Sequence, residues 1–258
     1  MWNAFVNLLF EILRQIYYVV GDWGLAIIVV TVALRLMMTP LMVKQVRSTY
    51  ELQKHQPKMK EIQEKYKDDK EKQSQKLQEF YAEHKVNPFA SCLPMLLQMP
   101  IFIALFQMLA APSESKPLGG PLAEYLSSNS GVGSFFNIIP DIMNSAKGVY
   151  AGSGVIAVIP YVALLLIFAL SILIPQLMTP GDKSQKQNQR VMGFSMAAMM
   201  LFFGWGMPAG VLLYWDTSSV IGIVQQWFTQ KAMKKATEDA EEDKKSSSGP
   251  IKKKSKKK

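Results

Sequence analysis

Residues 24–43 read GLAIIVVTVALRLMMTPLMV. About twenty mostly apolar residues is the length an α-helix needs to cross roughly 30 Å of hydrocarbon. One charge interrupts the run. Arg35 lies eleven residues past Gly24, about 16 Å along a helix that rises about 1.5 Å per residue, which is near the middle of a bilayer. An arginine there costs about 2.5–3.5 kcal/mol on insertion scales, and a guanidinium cannot shed its charge. Snorkelling is a weak escape because both faces are many ångströms away. Arg35 must therefore meet water, a counter-charge or polar groups inside the protein. Two arrangements satisfy this: a polar cavity put to use, or a structural ion pair with Asp216, the acid that also falls within a span.

Working outward, the same reading marks five spans: 24–43, 88–110, 153–178, 191–206 and 208–228. The intervening charge is unequal. Segment 44–87 carries eleven Lys/Arg, segment 179–190 three and segment 229–258 eleven, against Arg14 alone in 1–23 and Lys116 and Lys147 in 111–152. Five spans put the three basic segments on one side, and the positive-inside rule makes that side cytoplasmic. The amino terminus is then outside and the carboxy terminus inside. Over 258 residues the composition is 49% hydrophobic with net charge +9, yet mean hydropathy is only +0.07. That average conceals a split between long apolar runs and polar connections.

Within residues 1–23, Trp2, Phe5, Val6, Leu9, Ile12, Leu13, Ile16, Tyr17 and Val20 recur at helical spacing, with Asn7, Glu11 and Arg14 between them. This predicts an amphipathic helix in the outer interface. A signal peptide would want a basic start and no charge in mid-segment. Segment 44–87, rich in Lys, Glu and Gln, predicts a cytoplasmic hairpin of two helices, bent or interrupted at Pro57 and turning near Asp68-Asp69. Its few apolar residues predict mobility. Asn87-Pro88 has the form of a helix start. Segment 111–152 is a Gly-, Ser- and Pro-rich loop whose apolar patch (Phe135, Phe136, Ile138, Ile139) reaches toward the interface. Gly206-Met207-Pro208 predicts a tight turn that makes spans four and five a helical hairpin. From Lys244 to Lys258 there are eight Lys and no acid, which predicts a disordered basic tail.

Catalytic chemistry has no foothold. There is no Walker A loop, no His-Glu-x-x-His, no Gly-x-Ser-x-Gly and no paired intramembrane aspartates. One cysteine, Cys92, allows neither an internal disulfide nor a cysteine metal cluster. His55 and His84 show no ligand spacing. No cofactor and no metal is expected. The polar residues at membrane depth are Gln98, Gln107, Ser171, Ser195, Tyr214, Asp216, Thr217, Ser218 and Ser219. Singly such residues are helix–helix glue; with Arg35 they suit a wet groove. Met192, Met196, Met199 and Met200 give the fourth span a soft, adaptable surface.

Three segments resemble the YidC insertase family. The first is Gly24-Leu25-Ala26-Ile27-Ile28 through Thr31, Leu34-Arg35 and Pro40-Leu41. The second is Asn87-Pro88, Cys92-Leu93-Pro94 and Gln98-Met99-Pro100-Ile101-Phe102. The third is Pro208 through Trp215, with Ser218-Ser219 and Gln225-Gln226. The resemblance covers residues 24 to about 230. It implies an all-α membrane protein, monomeric, with five transmembrane helices around a hydrophilic groove open to the cytoplasm and to lipid. It also implies a substrate groove containing Arg35, Gln98, Tyr214, Trp215, Asp216 and Ser218, in which Tyr214-Trp215 contact the client. The partners implied are nascent membrane proteins, the ribosome through hairpin and tail, a Sec-type translocon and the lipid bilayer of the cell membrane. In three respects the sequence departs from what the family leads one to expect: no large extracytoplasmic domain precedes the core, no lipid-attachment cysteine lies near the start, and Asp216 stands where an apolar residue is expected. The tail's lysines suit ribosomal RNA phosphates or anionic head groups. Two other classes fit parts of the pattern. A small anion transporter would use a buried arginine but usually shows internal repeats, and a membrane-anchored scaffold gives Arg35 no role.

Overall fold

The structure, a computed structural model, describes residues 1–84, 93–110, 120–129, 133–178 and 183–247. Among these residues the regular structure is entirely helical, with two isolated bridges (Phe135–Ile139 and Ser145–Pro208) and no strand. The helices are α1 (Trp2–Val20), α2 (Trp23–Lys54), α3 (Gln56–Lys65), α4 (Lys70–Glu83), α5 (Leu93–Met108), α6 (Pro121–Ser128), α7 (Ala146–Met178), α8 (Lys183–Gly204) and α9 (Ala209–Ser247). Among the described residues two stretches are long and apolar enough to cross a bilayer: Trp23–Leu52 in α2 and Ala146–Pro175 in α7, whose 18-residue apolar windows have mean hydropathies of 2.2 and 2.8. Gln98–Met108 and Arg190–Gly204 are shorter apolar helices. The chain divides into two units, Met1–Leu41 with Phe89–Ile223, and Met42–Pro88 with Val224–Lys258.

In the first unit α1 buries Val6, Phe10 and Leu13 and leaves Leu8, Ile12, Tyr18 and Val19 exposed. It stops at Gly21, whose φ of 73° is the left-handed conformation that glycine adopts without cost, and whose N–H bonds Tyr17 O at 2.7 Å. The chain then re-enters through Trp23, only 1% exposed, stacked on Tyr17 at 4.1 Å between ring centroids. Asp22 caps α2 by accepting the Leu25 N–H at 2.8 Å. Trp2 Nε1 donates to Gln107 Oε1 at 2.8 Å, tying α1 to the end of α5.

Residues 133–145 are laced to the starts of two helices. The Gly24 N–H bonds Ser134 O at 3.2 Å, the Ala209 N–H bonds Asn144 O at 2.9 Å and the Gly210 N–H bonds Ile142 O at 2.8 Å. The apolar patch expected to reach the interface is split. Ile139 is 2% exposed and belongs to the core, while Phe136 and Ile138 point away from it.

α7 is broken at Gly154 (φ 82°, ψ −172°), a conformation open essentially to glycine alone. The closest helix–helix packing of this unit is α8 along α7. Gly193, Ala197 and Gly204 form the buried side of α8, and a Cβ on Gly204 would lie 2.9 Å from Leu165 Cδ1. Such a small-residue stripe lets two helix backbones approach closely. The turn expected between spans four and five is present around Gly206, and α8 also packs along α7. Met192, Met196 and Met199 lie on the exposed side.

In the second unit Pro57 stands in the first turn of α3, and the preceding helix ends at Lys54. α3 and α4 are joined by Tyr66–Asp69, and Gln73 Nε2 donates to Gln63 O across them at 2.7 Å. Asp69 caps α4 by accepting the Lys72 N–H at 3.0 Å. Phe80 is 7% exposed and stacks on His84 at 4.1 Å. α9 continues to Ser247, so Lys244 and Lys245 are helical rather than part of a disordered tail; Ala-, Glu- and Lys-rich sequence favours helix there. Residues 248–258 lie outside the described residues, as do Asn87-Pro88 and Cys92.

Candidate functional site: a polar cleft around Arg35

Three helices of the first unit, α2, α5 and α9, build one polar cluster. Arg35 is half-buried, and its Nε donates to Ser218 Oγ at 2.6 Å. Gln98 Nε2 donates to the Tyr214 hydroxyl and lies 3.4 Å from Ser218 Oγ. Tyr214 and Ser218 are each 2% exposed. They share a face of α9 because they are four residues apart. Four residues further along that face is Gly222, where a Cβ would lie 3.4 Å from Arg35 Nη1. Thr31, Leu34, Met38 and Ile101 complete the lining of a narrow, closely packed cleft.

Four of the six residues expected in a groove thus come together: Arg35, Gln98, Tyr214 and Ser218. Two do not. Trp215, one residue round the helix, packs edge-on between Phe102 (5.6 Å) and Phe168 (5.4 Å). Asp216 is 5% exposed, and neither carboxylate oxygen has a hydrogen-bond partner among the described residues. At about 100° per residue it stands some 200° around α9 from Tyr214. It is not the counter-ion of Arg35. Other polar residues at the same depth satisfy themselves: Ser171 Oγ bonds Phe168 O at 2.7 Å and Ser195 Oγ bonds Met192 O at 2.9 Å. Gln107 serves α1, through its bond with Trp2. Gly222 and Asp22 escaped the reading of the sequence. Gly222 could have been found from its register with Tyr214 and Ser218, and Asp22 from its place just ahead of an apolar helix.

Among the described residues no group of three or more His, Cys, Asp or Glu is arranged to hold a metal. The cleft offers a fixed positive charge, a carboxamide, a phenol and a hydroxyl. These can bind and orient an acidic or polar segment, and none of them is placed as a nucleophile beside a base.

The family model described as 60Kd inner membrane protein matches residues 15–237. The chain belongs to this family. Among curated relatives in the 60Kd family, the membrane protein insertase YidC of Actinobacillus pleuropneumoniae serotype 3 (strain JL03) is 35% identical over 235 residues, 91% of this chain and 38% of that protein. The protein of the same name in Francisella philomiragia is 34% identical over 227 residues, 88% of this chain and 36% of that protein. The chain thus spans little more than a third of the length of these relatives. A crystal structure described as an active YidC insertase with its first transmembrane domain resolved matches with a TM-score of 0.63 at 24% identity, over 86% of this chain and 45% of that one. This last likeness concerns the fold.

Proposed function

We propose that this chain is a membrane protein insertase that helps nascent membrane proteins enter and fold in the lipid bilayer. The observation that carries the reading is the Arg35 guanidinium, set mid-way along an apolar helix and bonded to Ser218 within the cleft shared with Gln98 and Tyr214. Moving a polar flank of a client across hydrocarbon is opposed by its desolvation. A polar, positively charged recess part-way through the bilayer shortens the apolar path. In low dielectric it attracts acidic residues of the translocating segment. The client's own apolar helix then leaves sideways into lipid, driven by burial of its surface. No nucleotide, metal or cofactor takes part.

The topology that goes with this reading has five spans, 24–43, 88–110, 153–178, 191–206 and 208–228, with the amino terminus outside. Residues 1–23 lie in the outer interface, 44–87 form a cytoplasmic hairpin, and 229–258 form a basic cytoplasmic extension. The groove is open to cytoplasm and lipid, and the chain acts as a monomer, alone or beside a Sec-type channel. Hairpin and basic extension engage the ribosome through phosphate contacts, which salt weakens.

Reconstitution into vesicles with one small client tests the proposal. Arg35→Ala is expected to lower insertion several-fold, Arg35→Lys to retain most of it, and crosslinking probes at 35, 98 and 214 to capture a stalled client. Full insertion by Arg35→Ala, with no client captured at these positions, would overturn it.

A further inference from the structure

The tip of the 133–145 stretch has the build of a lipid wedge. Phe136 and Asn137 have φ of 47° and 57°, and the Ile138 N–H bonds Phe135 O at 2.9 Å. This is a four-residue turn with both central residues left-handed, a geometry that ordinarily selects Asn and Gly. Phenylalanine at its first central position is strained, because its Cβ crowds the backbone. Packing against protein does not offset that strain well. Phe136 is 58% exposed and Ile138 is 61% exposed. The turn is nevertheless firmly held. Asp22 Oδ2 accepts the Phe136 N–H at 2.7 Å, Phe135 and Ile139 form a bridge, and Ile139 is anchored in the core.

The level of the tip in the molecule follows from those same bonds. Asp22 caps the helix that carries the first apolar run, and Ser134 O is bonded to the N–H of Gly24, the first residue of that run. Phe136 and Ile138 therefore project beside the point where α2 passes from water into hydrocarbon. Tyr18 and Val19, at the nearby end of α1, are likewise 61% and 86% exposed. An aromatic and a branched aliphatic residue at this depth suit the head-group boundary, where apolar bodies are buried shallowly.

We infer that Phe136 and Ile138 insert into the acyl boundary of the leaflet at which α1 ends, making a second lipid anchor that the left-handed turn holds out from the protein. The inference rests on the membrane-spanning reading of α2. Nitroxide labels separate the two. With Cys92→Ser as background, single cysteines replace Phe136, Ile138, Val29 (38% exposed on α2) and Lys67 (exposed in the polar turn before α4). Each labelled protein is placed in phosphatidylcholine–phosphatidylglycerol vesicles. Relaxation by oxygen, which concentrates in lipid, is compared with relaxation by a water-soluble nickel chelate. Labels at 136 and 138 are expected to show an oxygen-to-nickel ratio several-fold above that at 67, approaching the ratio at 29. A water-like ratio at either tip position with a lipid-like ratio at 29 overturns the wedge alone. A water-like ratio at 29 overturns the spanning reading and the wedge with it.

Discussion

Replacing Asp216 by valine should stabilise the protein and leave Arg35-dependent insertion intact. Asp216 is 5% exposed, and both of its carboxylate oxygens lack a hydrogen-bond partner among the described residues. Mutational data put the cost of one unpaired buried polar group at about 1–3 kcal/mol. Valine removes that cost and adds about 1.5 kcal/mol of apolar burial. Against this stand about 0.5 kcal/mol of lower helix propensity and roughly 1 kcal/mol for imperfect fit. The net gain is about 1–3 kcal/mol. At about 2–4 °C per kcal/mol for a chain of this size, Tm should rise by roughly 2–12 °C. Thermal unfolding in mild detergent, followed by tryptophan fluorescence, reads this directly because Trp215 is the adjacent residue. Asp216→Asn, which leaves an unpartnered amide, should change Tm little. A fall in Tm for Asp216→Val, or loss of insertion as severe as in Arg35→Ala, would refute the reasoning, since either result requires the carboxylate to hold a partner.

Three further outcomes follow from named contacts. Ser218→Ala removes the acceptor 2.6 Å from Arg35 Nε; hydrogen bonds to charged groups contribute about 1.5–3 kcal/mol, so Tm and insertion should both fall, whereas Ser218→Thr should keep most of each. Gly24→Ala would set a Cβ 2.5 Å from Phe135 Cβ; the 133–145 stretch must shift at about 1–3 kcal/mol, and faster hydrogen exchange across residues 133–145 would register it. The backbone N–H of Lys72, and then its side chain, hold the Asp69 carboxyl below its ordinary value. Its support for the start of α4 is therefore complete above about pH 4 and is lost as pH falls through the lowered folded value. Asp69→Asn should speed amide exchange at Lys72 and Gln73 near neutral pH, and the difference from the unsubstituted chain should vanish in strong acid.

The amino-acid sequence by itself determined whatever is written in local chemistry. Apolar runs of bilayer length, one permanently charged side chain inside one of them, and an uneven spread of lysines need no knowledge of neighbours. They are properties of short segments in contact with lipid or water. The break at Pro57 and the turn at Asp68-Asp69 are of the same kind, since caps and prolines act within a few residues. Arg35 singled itself out for this reason.

The tertiary structure decided which faces meet. Tyr214, Trp215 and Asp216 are consecutive, yet a helix turns them to three directions: to Gln98, to the Phe102–Phe168 pair and to an unpartnered interior position. Sequence supplies the angle between neighbours on a helix but not which other helix lies at each angle. The same ignorance hid that α8 packs along α7, with Gly204 against Leu165 and Phe168. It also hid the division of one apolar patch into a buried Ile139 and an exposed Phe136–Ile138 tip. Periodicity and hydropathy are set by the chain itself; mates are chosen by shape and distance between segments far apart in sequence, and those exist only once the chain has packed.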